Sequence, residues 1–376
     1  MAELNPTYLE LILHRLRVRL RVRVRRILLC VENLTRIVKP AILKYKQYAS
    51  LGGLMNQQAQ QKAGKVVIVG AGAVGATFAY ALAMNGTASE IVLTDRNQDL
   101  ADGQALDLAH GQPYFPIVNI RKGTEDDYAD AQVIVITAGA KQEPGENRLS
   151  LIKKNAGIIE SIVDEIIGRN SAAVMVMVSN PVDVLTHVAL KRSGWPRSRV
   201  IGSGTVLDSS RFRYLLGRHC DINTHNVHAY MLGEHGDSEF AAWSMTHIGG
   251  IQIDHYCPVC GKCENWMNER AKIEQTVRDS AYHIIDYKGA TYFAVGLALA
   301  KIVESILRSQ KSVLTVSTYL DGEFGLNDVC LSVPAIVAKD GVDRIIESEL
   351  TSSEKDALNA SATVLKQSIA DLKGNR

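Results

Sequence analysis

Lys65-Val66-Val67-Ile68-Val69-Gly70-Ala71-Gly72-Ala73-Val74-Gly75 is the stretch from which the architecture can be read. Its first five residues form a short apolar run rich in β-branched side chains, the pattern of a strand buried on both faces of a parallel sheet. Ala76 to Asn85 then reads as a helix of small and apolar residues, ended near Gly86. Ile91-Val92-Leu93-Thr94 is the next strand, and Asp95 closes it. A Gly-x-Gly-x-x-Gly spacing is weak alone. A strand before it, a helix after it and an acid at the end of the next strand make it a dinucleotide-binding signature. Gly70 and Gly72 allow a tight turn and close approach of a pyrophosphate, and Gly75 lets helix and strand pack closely. The helix N-terminus then faces the phosphate charge. Val74 belongs to the same turn. Asp95 can accept both hydroxyls of an adenosine ribose and would repel a 2′-phosphate, which favours NAD over NADP despite the neighbouring Arg96.

The same alternation continues outward. Val133 to Thr137 and Ala173 to Val178 are further buried strands, and Gln98 to His110, Leu149 to Gly168 and Val182 to Ser193 read as helices between and after them. This predicts an α/β protein with a Rossmann-type doubly wound parallel sheet. After Thr205 the pattern changes. Helices mix with shorter β-rich segments, at Ile222 to Leu232, Trp243 to Ile253 and Leu314 to Leu320, and a long amphipathic helix begins near Ser352. The expected organisation is a basic N-terminal extension over 1–54, an NAD-binding domain over 55–204 and an α+β catalytic domain over 205–376.

The 376 residues, 46% apolar and 22% charged, suit a globular protein with a real core. The net charge of +2 hides a split, because residues 1–62 hold twelve Lys/Arg against three Glu. The rest is mildly acidic, which argues against a general nucleic-acid binder. Arg15 to Arg26 alternates arginine with Leu and Val, so an extended chain would carry charge on one face. Three readings stand: a membrane-surface or nucleic-acid arm, an arginine-rich presequence, or sequence upstream of the functional unit, with Met55 as the start. The third is favoured. The arginines interrupt every candidate signal core. The apolar run Val66 to Met84 is better explained by its glycines than as a membrane span. Six cysteines without a secretory signal point to a reducing cytoplasm.

The chemistry is carried by Gly233-Glu234-His235-Gly236-Asp237-Ser238-Glu239 and by Leu207-Asp208-Ser209-Ser210-Arg211-Phe212-Arg213. A proton-transferring imidazole needs a carboxylate to fix its tautomer and raise its basicity. A carboxylate substrate needs an arginine fork. His235, Asp208 and Arg211 supply these groups, and beside a dinucleotide site they read as hydride transfer to a small 2-oxo acid. Any one of them alone would more often be structural.

From about Met55 onward the chain resembles the L-lactate/malate dehydrogenase family, and within it the bacterial L-lactate dehydrogenase branch. The resemblance rests on the motifs above together with Thr137-Ala138-Gly139-Ala140-Lys141-Gln142, Glu146-Asn147-Arg148-Leu149 and Val178-Ser179-Asn180-Pro181-Val182-Asp183. It implies that His235 exchanges a proton with the substrate oxygen while Asp208 holds it, and that Arg211 clamps the substrate carboxylate. It implies that Arg148 arrives on a mobile loop to polarise the carbonyl, and that Asn180, Asp183 and Thr291 belong to the substrate site. Gly139, Ala140, Val178, Ser179 and Asn180 would contact NAD. Gln142 would face the substituent beyond the carbonyl, where family members acting on malate carry arginine. A neutral side chain there leaves a second carboxylate unpaired, at a cost of several kcal/mol. Pyruvate and lactate are therefore expected, with malate or another 2-hydroxy acid as the alternative. Arg213 and His228 resemble a pair that binds fructose 1,6-bisphosphate across a subunit interface, and a homotetramer is implied. No nucleic-acid or membrane partner is expected.

His255-Tyr256-Cys257-Pro258-Val259-Cys260-Gly261-Lys262-Cys263 is not required by that mechanism. It could hold zinc or act as a redox pair. The tight spacing and the lack of a second Cys-x-x-Cys favour an ordinary surface segment, and no metal is expected. A non-catalytic NAD-binding protein on this fold is the remaining competitor. It has no need of the His235, Asp208, Arg211 and Arg148 set.

Overall fold

A computed structural model describes residues 64–141, 148–261 and 265–373. The extension over 1–54 with its Met55 boundary, Gln142 and Cys263 lie outside the described residues, as does the side chain of Arg148.

The first half alternates strands and helices: β1 (Lys65–Val69), α1 (Ala73–Asn85), β2 (Glu90–Thr94), α2 (Gln98–His110), β3 (Asn119–Lys122), β4 (Val133–Ile136), α3 (Arg148–Gly168), β5 (Val174–Met177), α4 (Val182–Ser193) and β6 (Val200–Gly202). The second half holds α5 (Val206–Cys220), β7 (Val227–His228), β8 (Met231–Leu232), β9 (Phe240–Ala241), β10 (His247–Ile248), β11 (Ile251–Gln252), α6 (Ile253–Cys260), α7 (Trp266–Lys288) and α8 (Phe293–Leu307). It ends with β12 (Ser312–Leu314), β13 (Ser317–Asp321), β14 (Asn327–Ser332), β15 (Ala335–Ala338), β16 (Gly341–Ile345) and α9 (Ser352–Lys373).

One sheet runs in the order β14-β13-β6-β5-β4-β1-β2-β3. Strands β1 to β6 are parallel, with β1 between β4 and β2. The chain winds from β1 outward to β3, then restarts at β4 on the other side of β1, so a crevice opens at the C-terminal ends of β1 and β4. The strands are apolar throughout because successive residues enter different cores. Val67, Val69, Ile134, Ile136, Met175 and Met177 face the cluster that also contains α3, α4 and α9 residues. Val66, Ile68, Val133, Val135, Val174 and Val176 face the cluster that contains α1 and α8 residues. The run from Val66 to Met84 is strand, turn and helix, and no described helix is long and apolar enough to cross a membrane.

Two features differ from the expectation. The helix α1 begins at Ala73 rather than Ala76, because Gly72 is its N-cap and Gly75 sits in its first turn. The sheet also continues past residue 204, since β13 and β14 join it antiparallel at β6. In the other direction α8 packs on α1, where a Cβ on Gly296 would lie 3.0 Å from Thr77. The residues after 205 also form a separate core around Phe212, Leu216, Trp243, Ile253 and Val277.

Candidate active site

The crevice is built by backbone. Gly70 has φ +110°, and a Cβ there would meet Ala138 N at 2.7 Å. A Cβ on Gly75 would fall 1.9 Å from the carbonyl oxygen of Gly70, so only glycine lets α1 close on the end of β1. At Gly72 the same position meets nothing within 4 Å. That open cradle at the α1 N-terminus is what a pyrophosphate would fill. Asp95 Oδ2 accepts from Ala71 N at 2.8 Å and Oδ1 from Asn97 N at 2.9 Å, which fixes the carboxylate beside the glycine turn where a ribose would lie. These residues fit NAD, and a 2′-phosphate would meet the Asp95 charge. We expect Gly75→Ala to raise the Kd for NADH by about tenfold or more, since its Cβ overlaps backbone that cannot rotate away. A fluorescence titration yielding wild-type affinity would contradict this packing argument.

The second wall of the crevice joins the ends of β4 and β5. Asn155 on α3 is buried. Its Oδ1 accepts from Ala140 N at 2.8 Å, and its Nδ2 donates to Asn180 O at 3.0 Å. Ser179 Oγ donates to Ala138 O. Gly139 lies against Ser179, and Val178 packs on the core. One side chain thus ties together the two loops that carry the expected cofactor contacts. Asn155 was not evident in the sequence, because an asparagine inside a helix announces nothing until the distant loops it bridges are known.

Asp208 and Arg211 stand one turn apart on α5, and His235 sits in the loop between β8 and β9. His235 Nδ1 lies 2.6 Å from Asp208 Oδ2, and Arg211 Nη1 donates to Asp208 Oδ1 at 2.7 Å. Burial acts to raise the Asp208 pKa, but His235 and Arg211 outweigh it and hold the carboxyl below its ordinary value. An ionised carboxylate only accepts, so Nδ1 of His235 is the donor and Nε2 is left to the substrate. Burial acts to lower the His235 pKa, and the Asp208 charge and hydrogen bond overcome it, pushing it up to about 9. The imidazole therefore carries its proton at neutral pH.

The loop is anchored from outside. Gly233 pairs with Ser332 of β14, and the buried Ser361 of α9 accepts from Glu234 N at 2.7 Å. A cavity of about 420 Å³ is lined by Asn180, Asp208, Arg211, His235 and Glu239, with Leu151 and Ile152 of α3 among its apolar walls. It is large enough for a small acid. Tyr282 on α7 closes over it and donates to Asp237 Oδ1 at 2.8 Å.

Two expected substrate residues are not among those lining this cavity. Asp183 is buried behind the loop, does not line the cavity, and accepts from the backbone N–H of His235 at 2.8 Å. Its position holds the loop, and burial pushes its pKa up to about 6 against those hydrogen bonds. Thr291 is half-buried between α7 and α8, outside the cavity lining. Arg148 begins α3, and its side chain with Gln142 lies outside the described residues. Arg213 is half-buried, with Nε lacking a partner among the described residues, and His228 is exposed on β7. In the cysteine segment, Cys257 is buried on α6 and His255 is exposed. Cys260 Sγ donates to Cys257 O. Glu239 and Arg278 were also missed as cavity residues. Glu239 stood in the quoted motif, but nothing local to it signalled burial.

Residues 64–202 match the lactate/malate dehydrogenase NAD-binding domain, and residues 205–375 match the alpha/beta C-terminal domain of lactate/malate dehydrogenases. The chain is 57% identical over 314 residues to an L-lactate dehydrogenase of Treponema denticola, covering 83% of this chain and 99% of that one. It is 52% identical over 308 residues to an L-lactate dehydrogenase of Thermoanaerobacterium saccharolyticum, covering 82% and 99%. The ligand-bound minor L-lactate dehydrogenase of Enterococcus mundtii superposes with TM-score 0.80 at 42% identity, over 84% of this chain and 99% of that one. A lactate dehydrogenase from a Medee basin deep-sea metagenome library superposes with TM-score 0.81 at 41% identity, over 83% and 100%.

Proposed function

We propose an activity from one premise: the chain belongs to the lactate/malate dehydrogenase family. It is an NAD-dependent L-lactate dehydrogenase that interconverts pyruvate and (S)-lactate, in fermentative glycolysis. The observation that carries this is the His235–Asp208–Arg211 group lining a cavity that reaches Asn180, just past the C-terminal end of β5. When bound, the nicotinamide supplies or accepts the hydride. Arg211 holds the substrate carboxylate with the donors of its fork that Asp208 leaves over. Protonated His235 donates from Nε2 to the carbonyl oxygen in reduction, and the neutral ring takes that proton back in oxidation. Asp208 stabilises the charged ring in both directions. Asn180 lines the cavity and is available to the same oxygen. Leu151, Ile152 and Ile285 keep that end of the cavity apolar. Arg148, the first residue of α3, would add a second cation at the carbonyl, as the family resemblance implies.

Gln142 supports pyruvate over oxaloacetate, because it offers no charge to a second carboxylate. Arg213 and His228 support activation by fructose 1,6-bisphosphate, with cationic groups of two subunits converging on its phosphates. A homotetramer follows from the family resemblance alone, and the packed pair α1 and α8, which exposes Tyr80, Met84, Phe293 and Leu297, offers an apolar surface for contact between copies.

The test is NADH oxidation with pyruvate or oxaloacetate, each with and without fructose 1,6-bisphosphate. The expected preference for pyruvate is about 10²-fold or more in kcat/KM, from several kcal/mol for an unpaired carboxylate. The bisphosphate should lower the KM for pyruvate. Preference for oxaloacetate would refute the Gln142 argument, an indifferent KM the Arg213/His228 argument, and no turnover the enzyme itself.

A further inference from the structure

Glu239 is a buried acid on the cavity wall, only 4% exposed, and its Oε2 has no hydrogen-bond partner among the described residues. One of its carboxyl oxygens lies within 4.8 Å of a His235 ring nitrogen and of an Asp208 carboxyl oxygen. Two arginines stand nearby, and each is engaged elsewhere. Arg211 bonds Asp208. Arg278 on α7 donates to the Glu239 backbone carbonyl at 3.2 Å, to Glu274 at 2.8 Å and to Gln275 at 3.1 Å. Among the described residues no cation is hydrogen-bonded to Glu239 Oε2, so an ionised Glu239 would be a buried anion beside the existing anion Asp208, with the His235 ring as the cation near it.

We propose that Glu239 is a positioning residue that keeps its proton while the enzyme works in reduction, leaving Arg211 and His235 to the anionic substrate, and that losing this proton weakens substrate binding at alkaline pH. The inference rests on the 2-oxo acid reading of the cavity. The groups that face Glu239 are Asp208 and Arg211 from α5, Arg278 from α7, and His235 from its own loop, with Asp183 of α4 behind that loop. Burial first, and then the Asp208 charge, push the carboxyl well above the carboxylate range, against His235, Arg211 and Arg278. Once ionised, Glu239 would compete with the substrate carboxylate for Arg211 and would hold the His235 proton more tightly, opposing its transfer. It would act through these two groups and not by touching the reacting atoms.

Two measurements on the full chain test this. The first is the infrared difference spectrum between wild type and Glu239→Gln at pH 7. A protonated-carboxyl C=O band that is lost in the variant supports the proposal. Because the variant could fold poorly, the same band is sought in wild type grown with ¹³C-glutamate, where it must shift if it comes from a glutamate and stay if it comes from Asp183. Carboxylate bands alone overturn the proposal.

The second is the pH profile of kcat/KM for pyruvate. In wild type the alkaline limb should fall more steeply than the roughly tenfold per pH unit of a single proton, because His235 and Glu239 both deprotonate. In Glu239→Gln it should fall no more steeply than that. An alkaline limb identical in slope and midpoint overturns the proposal even with the band present. A protein that shows the band but does not turn over pyruvate would instead refute the 2-oxo acid reading, and the protonated carboxyl would stand.

Discussion

Asp208→Asn is expected to lower kcat for pyruvate reduction by roughly 10²- to 10⁴-fold, the range lost when a general acid or base is left without its orienting carboxylate. The isosteric amide fills the same space, so the loss is electrostatic. Asp208 is 2% exposed and accepts from both His235 Nδ1 and Arg211 Nη1. An asparagine oxygen can accept from one of them, and its NH₂ group then faces the donor of the other. If the amide turns its NH₂ toward the ring, Nδ1 must become the acceptor and the proton moves to Nε2 in the neutral form. The ring then cannot take a proton from the lactate hydroxyl.

The pH dependence should change with it. His235 is held charged up to a pKa of about 9. Reduction, which needs the imidazolium, should be flat through neutral pH in the wild type and fall above about 9. In the variant the fall should begin at or below the ordinary histidine value of about 6.5, because the burial that lowers the His235 pKa is no longer outweighed by Asp208.

Stability follows the same linkage. A histidine whose pKa is raised on folding stabilises fully below its unfolded pKa of about 6.5 and loses that contribution as pH climbs to the folded value of about 9. Asp208, whose pKa is depressed, contributes above its unfolded value of about 3.9 and loses that contribution as pH falls through the lower folded one. The Tm gap between wild type and variant should be widest between about pH 4 and 6.5 and should narrow toward pH 9. A variant with unchanged kcat and an unmoved alkaline limb would show that Asp208 does not govern the imidazole.

How much of this was legible in the sequence depends on the range of each interaction. Strands β1, β2, β4 and β5 were readable because burial on both faces makes them continuous apolar runs. Helices α2 and α4 were readable to the residue because local chemistry ends them. Asn97 caps α2, and Gly194, at φ +63°, ends α4 in a conformation that favours glycine. Strand β3 was not readable, because as an edge strand it is Asn-Ile-Arg-Lys with only Ile120 buried. Strand β6 has three residues, too few to show a period. The joining of β13 and β14 to the main sheet was hidden, because nothing local in a strand names its partner.

The site divides in the same way. His235, Asp208 and Arg211 could be picked out because their motifs hold the residue types the chemistry needs, and the structure places Asp208 within hydrogen-bonding distance of the other two. Asp183 also lay in a motif, but its contact with the backbone N–H of His235 spans 52 positions of chain and could not be read there. Asn155 and Glu239 matter through burial and distant neighbours, which composition and periodicity do not encode.

Arg211→Lys should lower kcat/KM for pyruvate by about 10²- to 10³-fold while leaving the Kd for NADH unchanged. The charge survives, so the loss measures the fork. A guanidinium can give a carboxylate two parallel charge-assisted hydrogen bonds, each worth about 1.5–3 kcal/mol, and an ammonium recovers one in a poorer direction. One lost bond is roughly a 10- to 100-fold effect. The rest comes from orientation, because a carboxylate held at one point can swing its carbonyl away from both Nε2 of His235 and the nicotinamide. The loss should therefore appear in kcat as well as KM.

The rival account is that Arg211 matters only by keeping Asp208 ionised, through the 2.7 Å bridge. A lysine keeps the charge but not that bridge, so its support of Asp208 would weaken. On this account the KM for pyruvate would stay within about threefold of wild type and only the pH profile would move. Steady-state kinetics at pH 7, with NADH affinity measured separately, decide between the two. A rise in pyruvate KM with unaltered NADH binding assigns the fork to the substrate carboxylate, and a moved pH limb at constant KM assigns it to Asp208.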